Sequence, residues 1–585
     1  MNKKIKQLAV LPMLLLSATL MQSCIEEELP TDYATASQLN NSQSAQRLLN
    51  GLNAMMVDQF TYNSSSQVAY DWGYPCQMVI RDILGGDMPV VGHNGDGSSG
   101  DFLYWIADNS CLNIHPLYTY VYYYKLITNA NNIIGNYGGA DSGLKEYAGA
   151  ALAYRAMAYL DLARMFEYKN TGFSALDGQA KTNKVLGLTV PISTEKTTKD
   201  EAKNNPRAPF YTMYRFIMND LNTAEEYLEG KTRIGATMTS PDVSVVYGLK
   251  ARLWLEMATR FEKSAEDLSQ QLAHESDADG YAKLGISTAA DCYAKASEYA
   301  GKVISSGTYS PLSKSDWLDD KYGFNSATYN NSWMWAASMG SKEMISYQWY
   351  TWSCWMSPES AVFSWSRYFD SYRAIDKSLF DKISDKDFRK KTWIAPEDAG
   401  LPTKPEGYAT IIGSDDWAEI PAYTGLKFHL KDGDDKNYQV GLLTDIPLMR
   451  VEEMYFIEAE AKAHVSGLEA GKSVLENFLN AGRYTDGSYK CEASTIDDFT
   501  DELLTQKRIE FWGEGLVYFD MKRLAKQIKR YYPGSNYPDS YQLNSMKDKV
   551  APWLNYYIYN YVRDYNPAVV LNPDPTNAVT SQTDY

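Results

Sequence analysis

Tryptophan and tyrosine side chains are concentrated in one part of the chain. Six of the 14 Trp residues lie between positions 333 and 365, and the segment 347–355 mixes aromatic with polar residues. The face of an aromatic ring packs on the C–H groups of a sugar, while neighbouring polar groups bind the sugar hydroxyls. A large exposed aromatic surface also suits a protein partner. We therefore predict an exposed platform, for a glycan or for a protein, that consists of Trp349, Tyr350, Trp352 and Trp355.

Two other members of this tryptophan group have a different setting. Trp333 and Trp335 stand in an apolar alternating stretch, which is typical of a buried strand. We predict that both rings belong to the core.

Paired carboxylates are the next residues that could carry chemistry. Glu510 and Glu514 are four residues apart, and two carboxyl groups in a cleft form the acid and base of a glycosidase. The same spacing is an ordinary feature of a helix surface. Since Lys507, Arg508 and Arg523 are available as ion-pair partners, we predict a structural role for both carboxylates.

Motifs for metals, nucleotides and nucleophiles are absent or out of context. The five His residues form no HExxH motif, and no GxSxG occurs. Residues 95–100 fit GxGxxG, but no apolar strand precedes them. The spacing of Asp432, Asp434 and Asp435 differs from that of a calcium-binding loop and predicts a solvent-exposed turn. We expect no metal site and no cofactor.

The composition favours a polar ligand. The chain has 46 Tyr against 18 Phe, and a ring that carries a hydroxyl suits a half-wet surface. A net charge of −17 repels phosphate backbones and argues against nucleic acid as a partner. Besides Cys24 the chain has five cysteines, and they show no CxxC spacing. We predict buried free thiols, and one disulfide such as Cys76–Cys111 is the alternative.

The N-terminus is predicted to be a targeting segment. Residues 1–23 combine three early lysines with a short apolar run, which is typical of a signal peptide. Ser23-Cys24 resembles a bacterial lipobox, in which Cys24 is lipidated, and an ordinary secretory signal is the alternative. The acidic run Glu26-Glu27-Glu28 resembles the surface-export signal of Bacteroidetes lipoproteins.

Helical patterns occupy residues 115–310 and 445–530, and the clearest helix is predicted over 144–166. Two kinds of short pattern recur in these blocks: Tyr-x3-Ala from Tyr154, Tyr247 and Tyr455, and Ala-x2-Tyr from Ala224 and Ala296. Alternating helices with rings and small residues at the crossings are typical of tetratricopeptide hairpins. We predict a mainly α fold, a tetratricopeptide-like helical hairpin scaffold with long loop-rich insertions.

Four segments together resemble the SusD/RagB family of outer-membrane lipoproteins over nearly the whole chain. They are 118–134 with Asn129-Ala130-Asn131, the Ala-rich 151–166 with Asp161-Leu162-x-Arg164-x-Phe166, 445–461 with Asp445-Ile446-Pro447-Leu448-Met449-Arg450, and 507–523 with Arg508, Glu510, Glu514-Gly515 and Phe519-Asp520-Met521-Lys522-Arg523.

The resemblance implies a protein that binds rather than catalyses. It implies a lipid-anchored glycan-capture protein on the outward face of the outer membrane, which passes its ligand to a SusC-like TonB-dependent transporter. In the family, loops nearer the N-terminus also contribute to the ligand site, and this adds the candidates Trp72, Tyr74, Asp87, Asn94 and Trp105. A RagB-like peptide-capture protein is the alternative, and a secreted glycoside hydrolase is a third interpretation.

The predicted organisation follows from these observations. The divisions are a signal peptide at 1–23, a lipidated tether at 24–40, and one SusD-like domain at 41–585 made of a helical scaffold (41–310 and 445–530), a loop-rich aromatic insert (311–444) and a C-terminal extension (531–585).

Overall fold

The computed structural model describes residues 41–62, 70–92, 115–139 and 142–575. The predicted signal peptide, Cys24 and the 95–100 glycine loop lie outside these residues. The longer helices are α1 (Ser42–Val57), α2 (Gly73–Gly85), α3 (His115–Tyr137), α4 (Lys145–Phe166), α5 (Ser174–Thr182), α6 (Phe210–Leu228), α7 (Val243–Lys263), α8 (Ala265–Ala273), α9 (Ala289–Ser305), α10 (Val451–Ser466), α11 (Leu468–Gly482), α12 (Ile496–Glu510) and α13 (Val517–Arg523).

The remaining elements are short. Single-turn helices cover Lys199–Ala202, Lys314–Trp317, Trp352–Met356, Trp365–Tyr368, Lys377–Phe380, Ser414–Trp417, Tyr438–Gly441 and Asn560–Tyr565. Strands β1 (Val90–Val91) and β3 (Tyr372–Arg373) form one antiparallel pair, and β2 (Trp333–Ser338) and β4 (Asp445–Arg450) form another. The fold is therefore mainly α, as predicted.

Helix α4 is the centre of the scaffold. Its many alanines favour a helix and leave little side-chain bulk, so α3 packs on one side of α4 and α6 on another. Nearly all of its residues are buried. The helix predicted over 144–166 is confirmed with a boundary one residue later.

The scaffold helices pack in the order α3, α4, α6, α7, α9, α10 and α11. The two predicted patterns alternate along this order, with Tyr-x3-Ala in α4, α7 and α10 and Ala-x2-Tyr in α6 and α9. Where the classes meet, the rings of Tyr247 and Tyr299 lie 5.9 Å apart. Helix α9 packs on α10 although residues 306–450 separate them, so the insert leaves the helical stack and returns to it.

Strands β2 and β4 form the base of the insert. Trp333 pairs with Arg450 and Trp335 with Met449, and both tryptophan rings are fully buried, as predicted. Helix α7 passes close to this strand pair at Gly248, where an added Cβ would lie 2.3 Å from Met449 Sδ. A side chain there would push the helix away from the strands.

Buried charged side chains join the insert to the scaffold. This charge cluster consists of Arg389, Lys427, Arg450 and Arg483 with Asp387, Glu452, Glu510 and Glu514, each at most 3% exposed. Arg389 of the insert contacts Glu510 at 3.0 Å, and Lys427 of the insert contacts Glu514 at 2.5 Å. Within the scaffold, Arg450 binds Glu514 at 2.8 Å and Arg483 binds Glu510 at 2.8 Å. Four positive and four negative groups thus balance each other away from water.

The cluster corrects the expected surface role of Glu510 and Glu514. Helix α12 ends at Glu510, because the chain turns through Gly513 and Gly515, whose φ angles of 82° and 68° favour glycine. The partners also differ from the predicted ones, since Lys507, Arg508 and Arg523 pair with Asp520, Asp87 and Glu460. Burial opposes ionisation of Glu510, but the charges of Arg483, Arg450 and Arg389 outweigh it and hold its pKa below its ordinary value.

We expect Glu510→Gln to destabilise the protein by about 3–5 kcal/mol, because it removes one charge from a buried network and leaves its arginine partners uncompensated. Urea denaturation would measure the free energy of unfolding. Glu469→Gln is the matched control, since Glu469 is 83% exposed and its pair with Lys472 is a surface pair. Equal stability of the two variants would contradict the structural role of the cluster.

A second buried ion pair links α4 to α7. Glu167, which follows α4, accepts two hydrogen bonds from Arg260 Nη1, at 2.7 and 2.9 Å. Burial raises the pKa of Glu167, but the charges of Arg260 and Lys169 outweigh that effect and lower the pKa to about 2. The unfolded chain therefore binds more protons than the folded one between the ordinary pKa of 4.5 and about 2.

This pair predicts a measurable acid sensitivity. Its stabilisation is present above pH 4.5 and is lost as the pH falls towards 2, so wild type should lose about 2 kcal/mol more than Glu167→Gln between pH values of about 5 and about 3. Denaturation of both proteins at the two pH values measures the difference. Parallel pH profiles would show that this carboxyl does not contribute.

Candidate functional site

An aromatic patch lies at the surface of the insert. Its members are Tyr347, Trp349, Tyr350, Tyr368 and Phe369. Tyr368 is 56% exposed, and the other four are half-buried. The ring of Trp349 lies 4.9 Å from those of Tyr368 and Phe369, and the ring of Tyr347 lies 5.3 Å from that of Tyr350. Each of the five side chains therefore keeps part of its surface accessible to solvent.

Buried tryptophans support the patch from below. Trp365 contacts Trp349 at 5.8 Å and stacks on Trp355 at 5.3 Å, and Trp355 in turn lies 5.3 Å from Trp72. Trp355 Nε1 donates a hydrogen bond of 2.7 Å to the carbonyl of Trp349. The surface rings are therefore the outer end of a continuous aromatic core.

Two polar side chains hold the segments that carry these rings. Gln59, which follows α1, donates to the carbonyls of Tyr347 and Tyr350 and accepts from the Tyr347 amide at 2.7 Å. Cys354 Sγ donates to the Phe363 carbonyl and accepts from the Trp365 amide at 3.0 Å. The Gln59 bonds satisfy backbone groups of an irregular loop, and the Cys354 bonds join two single-turn helices.

An open cleft of about 590 Å³ extends to Ser346, the residue that precedes Tyr347 of the patch. It lies between α1, α3 and the loop that precedes Tyr347. Polar and charged groups in its wall include Asp58, Thr61, Lys125, Thr128, Asn129 and Glu343. Lys125 donates a hydrogen bond to the Thr61 carbonyl. The volume suits an oligomeric or drug-sized ligand rather than an ion.

Asp58 is an exposed residue at the end of α1, and its carboxyl group is one of two in the wall of this cleft. Burial raises its pKa, and the nearby Asp71 adds to the effect, while the Gln59 amide and Lys125 act against it. A carboxyl beside amide and hydroxyl groups can accept hydrogen bonds from a polyol. Cleft and patch together provide hydrogen-bonding groups next to exposed ring faces.

The structure corrects several of the predicted site residues. Trp352 and Trp355 are at most 2% exposed, so the expected exposure of their rings is wrong. Trp72 and Tyr74 are also buried, and Tyr74 Oη donates to Asp161 at 2.9 Å. Asp87 is 3% exposed and pairs with Arg508.

The physical reason is the same in each case: large rings and paired charges in this region fill the space beneath the loops. Trp349 and Tyr350 keep part of their surface accessible, and their role in binding stays a prediction. Asn94 and Trp105 lie outside the described residues.

Sequence reasoning missed Tyr368 and Phe369, which follow the tryptophan-rich segment. It also missed the cleft residues Asp58 and Lys125, which lie on different helical segments. Tyr368 and Phe369 carried a signal, since they extend the same run of aromatic residues. Asp58 and Lys125 carried none, because only tertiary packing brings them together.

Cysteines and acidic residues show no metal-binding arrangement in the described part of the chain. Cys292, Cys354 and Cys491 are buried free thiols, as predicted. Cys76 is buried as well, and Cys111 lies outside the described residues. Among the described residues, no three His, Cys, Asp or Glu side chains are grouped so that they could hold a metal ion.

Mutations can test the different burial of two aromatic residues, Trp355 and Tyr368. We expect Trp355→Ala to destabilise the protein by about 3–5 kcal/mol, because it removes a ring from the packed core. Tyr368→Ala should change the free energy of unfolding by less than about 0.5 kcal/mol, since its ring is mostly in water. Thermal and urea denaturation would measure both. A Trp355→Ala protein as stable as wild type would contradict the core position of that ring.

Comparison with known families points to one group. A family model described as "SusD family" matches residues 404–585, and another described as "Starch-binding associating with outer membrane" matches residues 92–255. These ranges contain all four segments on which the resemblance was based. No curated protein matches the sequence. None of the helices in the described part of the chain has the length and hydropathy needed to cross a bilayer.

Solved structures share the fold at low sequence identity. A SusD-like carbohydrate binding protein from Bacteroides vulgatus is 20% identical, with a TM-score of 0.63 over 90% of this chain and 97% of that one. A SusD superfamily protein from Bacteroides thetaiotaomicron is 17% identical, with a TM-score of 0.61 over 91% and 99%. The surface glycan-binding protein A from Bacteroides uniformis is 16% identical, with a TM-score of 0.59 over 91% and 100%. The two family matches and the shared fold together support a SusD/RagB family protein.

Proposed function

We propose that this protein is a surface lipoprotein that captures a polysaccharide or oligosaccharide and passes it to a SusC-like TonB-dependent transporter. The observation that carries the proposal is the aromatic patch beside a polar, open cleft on a SusD/RagB fold. Ring faces pack on sugar C–H groups, and carboxylate, amide and hydroxyl groups bind sugar hydroxyls. The related proteins described as carbohydrate-binding or glycan-binding support the same reading.

The proposed location follows from the N-terminus and the family. Lipidation of Cys24 would anchor the chain to the outer membrane, and the acidic residues after it would direct it to the outward face. One matching family model carries outer-membrane association in its description. The transporter partner is inferred from the family alone.

We propose that the protein has no catalytic activity. A glycosidase needs two carboxyl groups that reach a substrate in a cleft. Glu510 and Glu514 are buried in the charge cluster and paired with arginine and lysine, so neither can reach a sugar. Peptide capture is the alternative function, and the aromatic patch favours the glycan.

Affinity electrophoresis against a panel of polysaccharides and against a peptide mixture tests the proposal. We expect retardation by at least one polysaccharide, no retention of peptides longer than a dipeptide, and no release of reducing sugar during the incubation. Retention of peptides only would support the alternative, and sugar release that persists in pure protein would overturn the non-catalytic assignment.

With the retained glycan in hand, we expect Trp349→Ala and Tyr368→Ala each to weaken binding several-fold, because each loses a stacking contact worth on the order of 1 kcal/mol. Titration calorimetry would measure the affinity. Tyr329→Ala is the matched control, since Tyr329 is 39% exposed and packs on Tyr322 rather than on the patch. Equal affinity of all three variants and wild type would remove the patch from the site.

A further inference from the structure

A separate cavity of about 510 Å³ opens at the ends of α4 and α7. Its walls come from the segment after α4, the end of α7, the start of α8, residues 522–525 and residues 548–550. Exposed charged residues, including Lys263, Glu266 and Lys549, stand at its mouth. These elements do not contribute to the aromatic patch or to the α1–α3 cleft.

Lys522 lies in the wall of this cavity, and few neighbouring groups compensate its positive charge. Lys522 is 4% exposed, and its ammonium group donates one hydrogen bond, of 2.8 Å, to the Met165 carbonyl. An ammonium group has three donors. Within the described residues, no carboxylate lies within ion-pair distance of it.

The electrostatic surroundings of Lys522 reflect this lack of a partner. Burial lowers its pKa well below the ordinary value. Among the charged groups that act on it, Glu167 and Glu256 oppose this shift, while Lys169 and Arg207 reinforce it. A bound anion would offset the cost of burying the ammonium group.

Glu256 is the opposite charge in the same cavity. It is 7% exposed, and its carboxylate has no hydrogen bond or ion pair with any residue in the described part of the chain. Its neighbour Glu167 differs, since two bonds from Arg260 and a contact of 3.1 Å with Lys169 satisfy it. Glu256 also lines a small cavity of about 30 Å³, which has room for water only.

We propose that this cavity binds a small zwitterion, a free α-amino acid or a dipeptide, whose carboxylate pairs with Lys522 and whose ammonium group pairs with Glu256. Neither side chain has an ion-pair partner among the described residues, and a ligand that carries both charges compensates both side chains at once. A neutral sugar would compensate neither. Leu186 and Val550 in the wall provide an apolar surface for the side chain of the ligand.

The volume agrees with such a ligand, since it lies in the range of small-molecule sites. The inference does not depend on glycan binding, because the two sites share no residue. A protein that fails to bind any glycan can therefore still bind a zwitterion here, and the reverse also holds.

The test uses the purified protein and the standard L-amino acids, with glycyl dipeptides as a second arm and glucose as a neutral control. Thermal shift identifies any binder, and titration calorimetry measures its affinity. The best binder is then compared with its N-acetyl, its amide and its doubly blocked form. We expect binding of at least one free amino acid or dipeptide and loss of binding when either charged group is blocked.

Variants assign the contacts. Glu256→Gln keeps the side-chain shape and should weaken binding of the zwitterion by at least about thirtyfold, and Lys522→Met should do the same. Glu266→Gln removes a negative charge at the exposed mouth and should leave the affinity unchanged. Melting temperatures check that each variant is folded, and Glu256→Gln alone decides the question if Lys522→Met does not fold.

Two results would overturn the proposal. One is the absence of binding by every free amino acid and dipeptide up to about 10 mM, a concentration that detects even weak sites. The other is binding that does not depend on the charges, seen either as equal binding of the free and the doubly blocked ligand or as equal affinity of Glu256→Gln and wild type.

Discussion

Eight buried charged side chains join the insert to the helical scaffold, and the packing of the insert has to accommodate their pairing. Arg389 and Lys427 come from the insert, whereas Arg450, Arg483, Glu510 and Glu514 come from the scaffold. A buried charge tolerates no change of partner, because an unpaired one costs several kcal/mol. The ion pairs therefore favour one position of the insert relative to the scaffold, although few strands or helices connect the two. Trp317 packs beneath the same cations, with Arg483 and Lys427 each 5.1 Å from its ring.

This arrangement explains why so many tryptophans lie in a region with so little helix. Long loops lack the regular hydrogen-bonded backbone of helices and strands. Side chains must therefore fill the interior beneath them. Rings from Trp72 through Trp355 and Trp365 to Trp349 fill the space under the loops, and the last of them reaches the surface. The same aromatic residues thus serve as core and as the base of the candidate site. Rings supported in this way are rigid, which reduces the entropy lost when a ligand binds.

The scaffold and the insert tolerate change differently. Solved relatives keep the fold at 20% identity or less, which agrees with a scaffold that needs only small residues and rings at alternating helix crossings. Glycine is required at a few close approaches, such as Gly515, whose added Cβ would lie 2.6 Å from Met78 Cα. The surface rings and the cleft residues are less constrained, because part of their surface faces solvent. Surface side chains can therefore vary on a constant frame.

The sequence by itself determined the helical class, the alternating Tyr and Ala patterns, the long helix α4, the core positions of Trp333 and Trp335, and the family. Each of these depends on local spacing or on a contiguous motif, which can be read without knowing what packs where. Only the tertiary structure decided which aromatic residues are exposed. Trp349 and Trp355 stand six positions apart in similar surroundings, yet one is half-buried and the other has no accessible surface. The burial and ion pairing of Glu510 and Glu514 also depend on the tertiary structure, because their arginine partners lie up to 121 residues away. Burial and charge pairing are sums over contacts from distant segments, so neither can be read from local spacing.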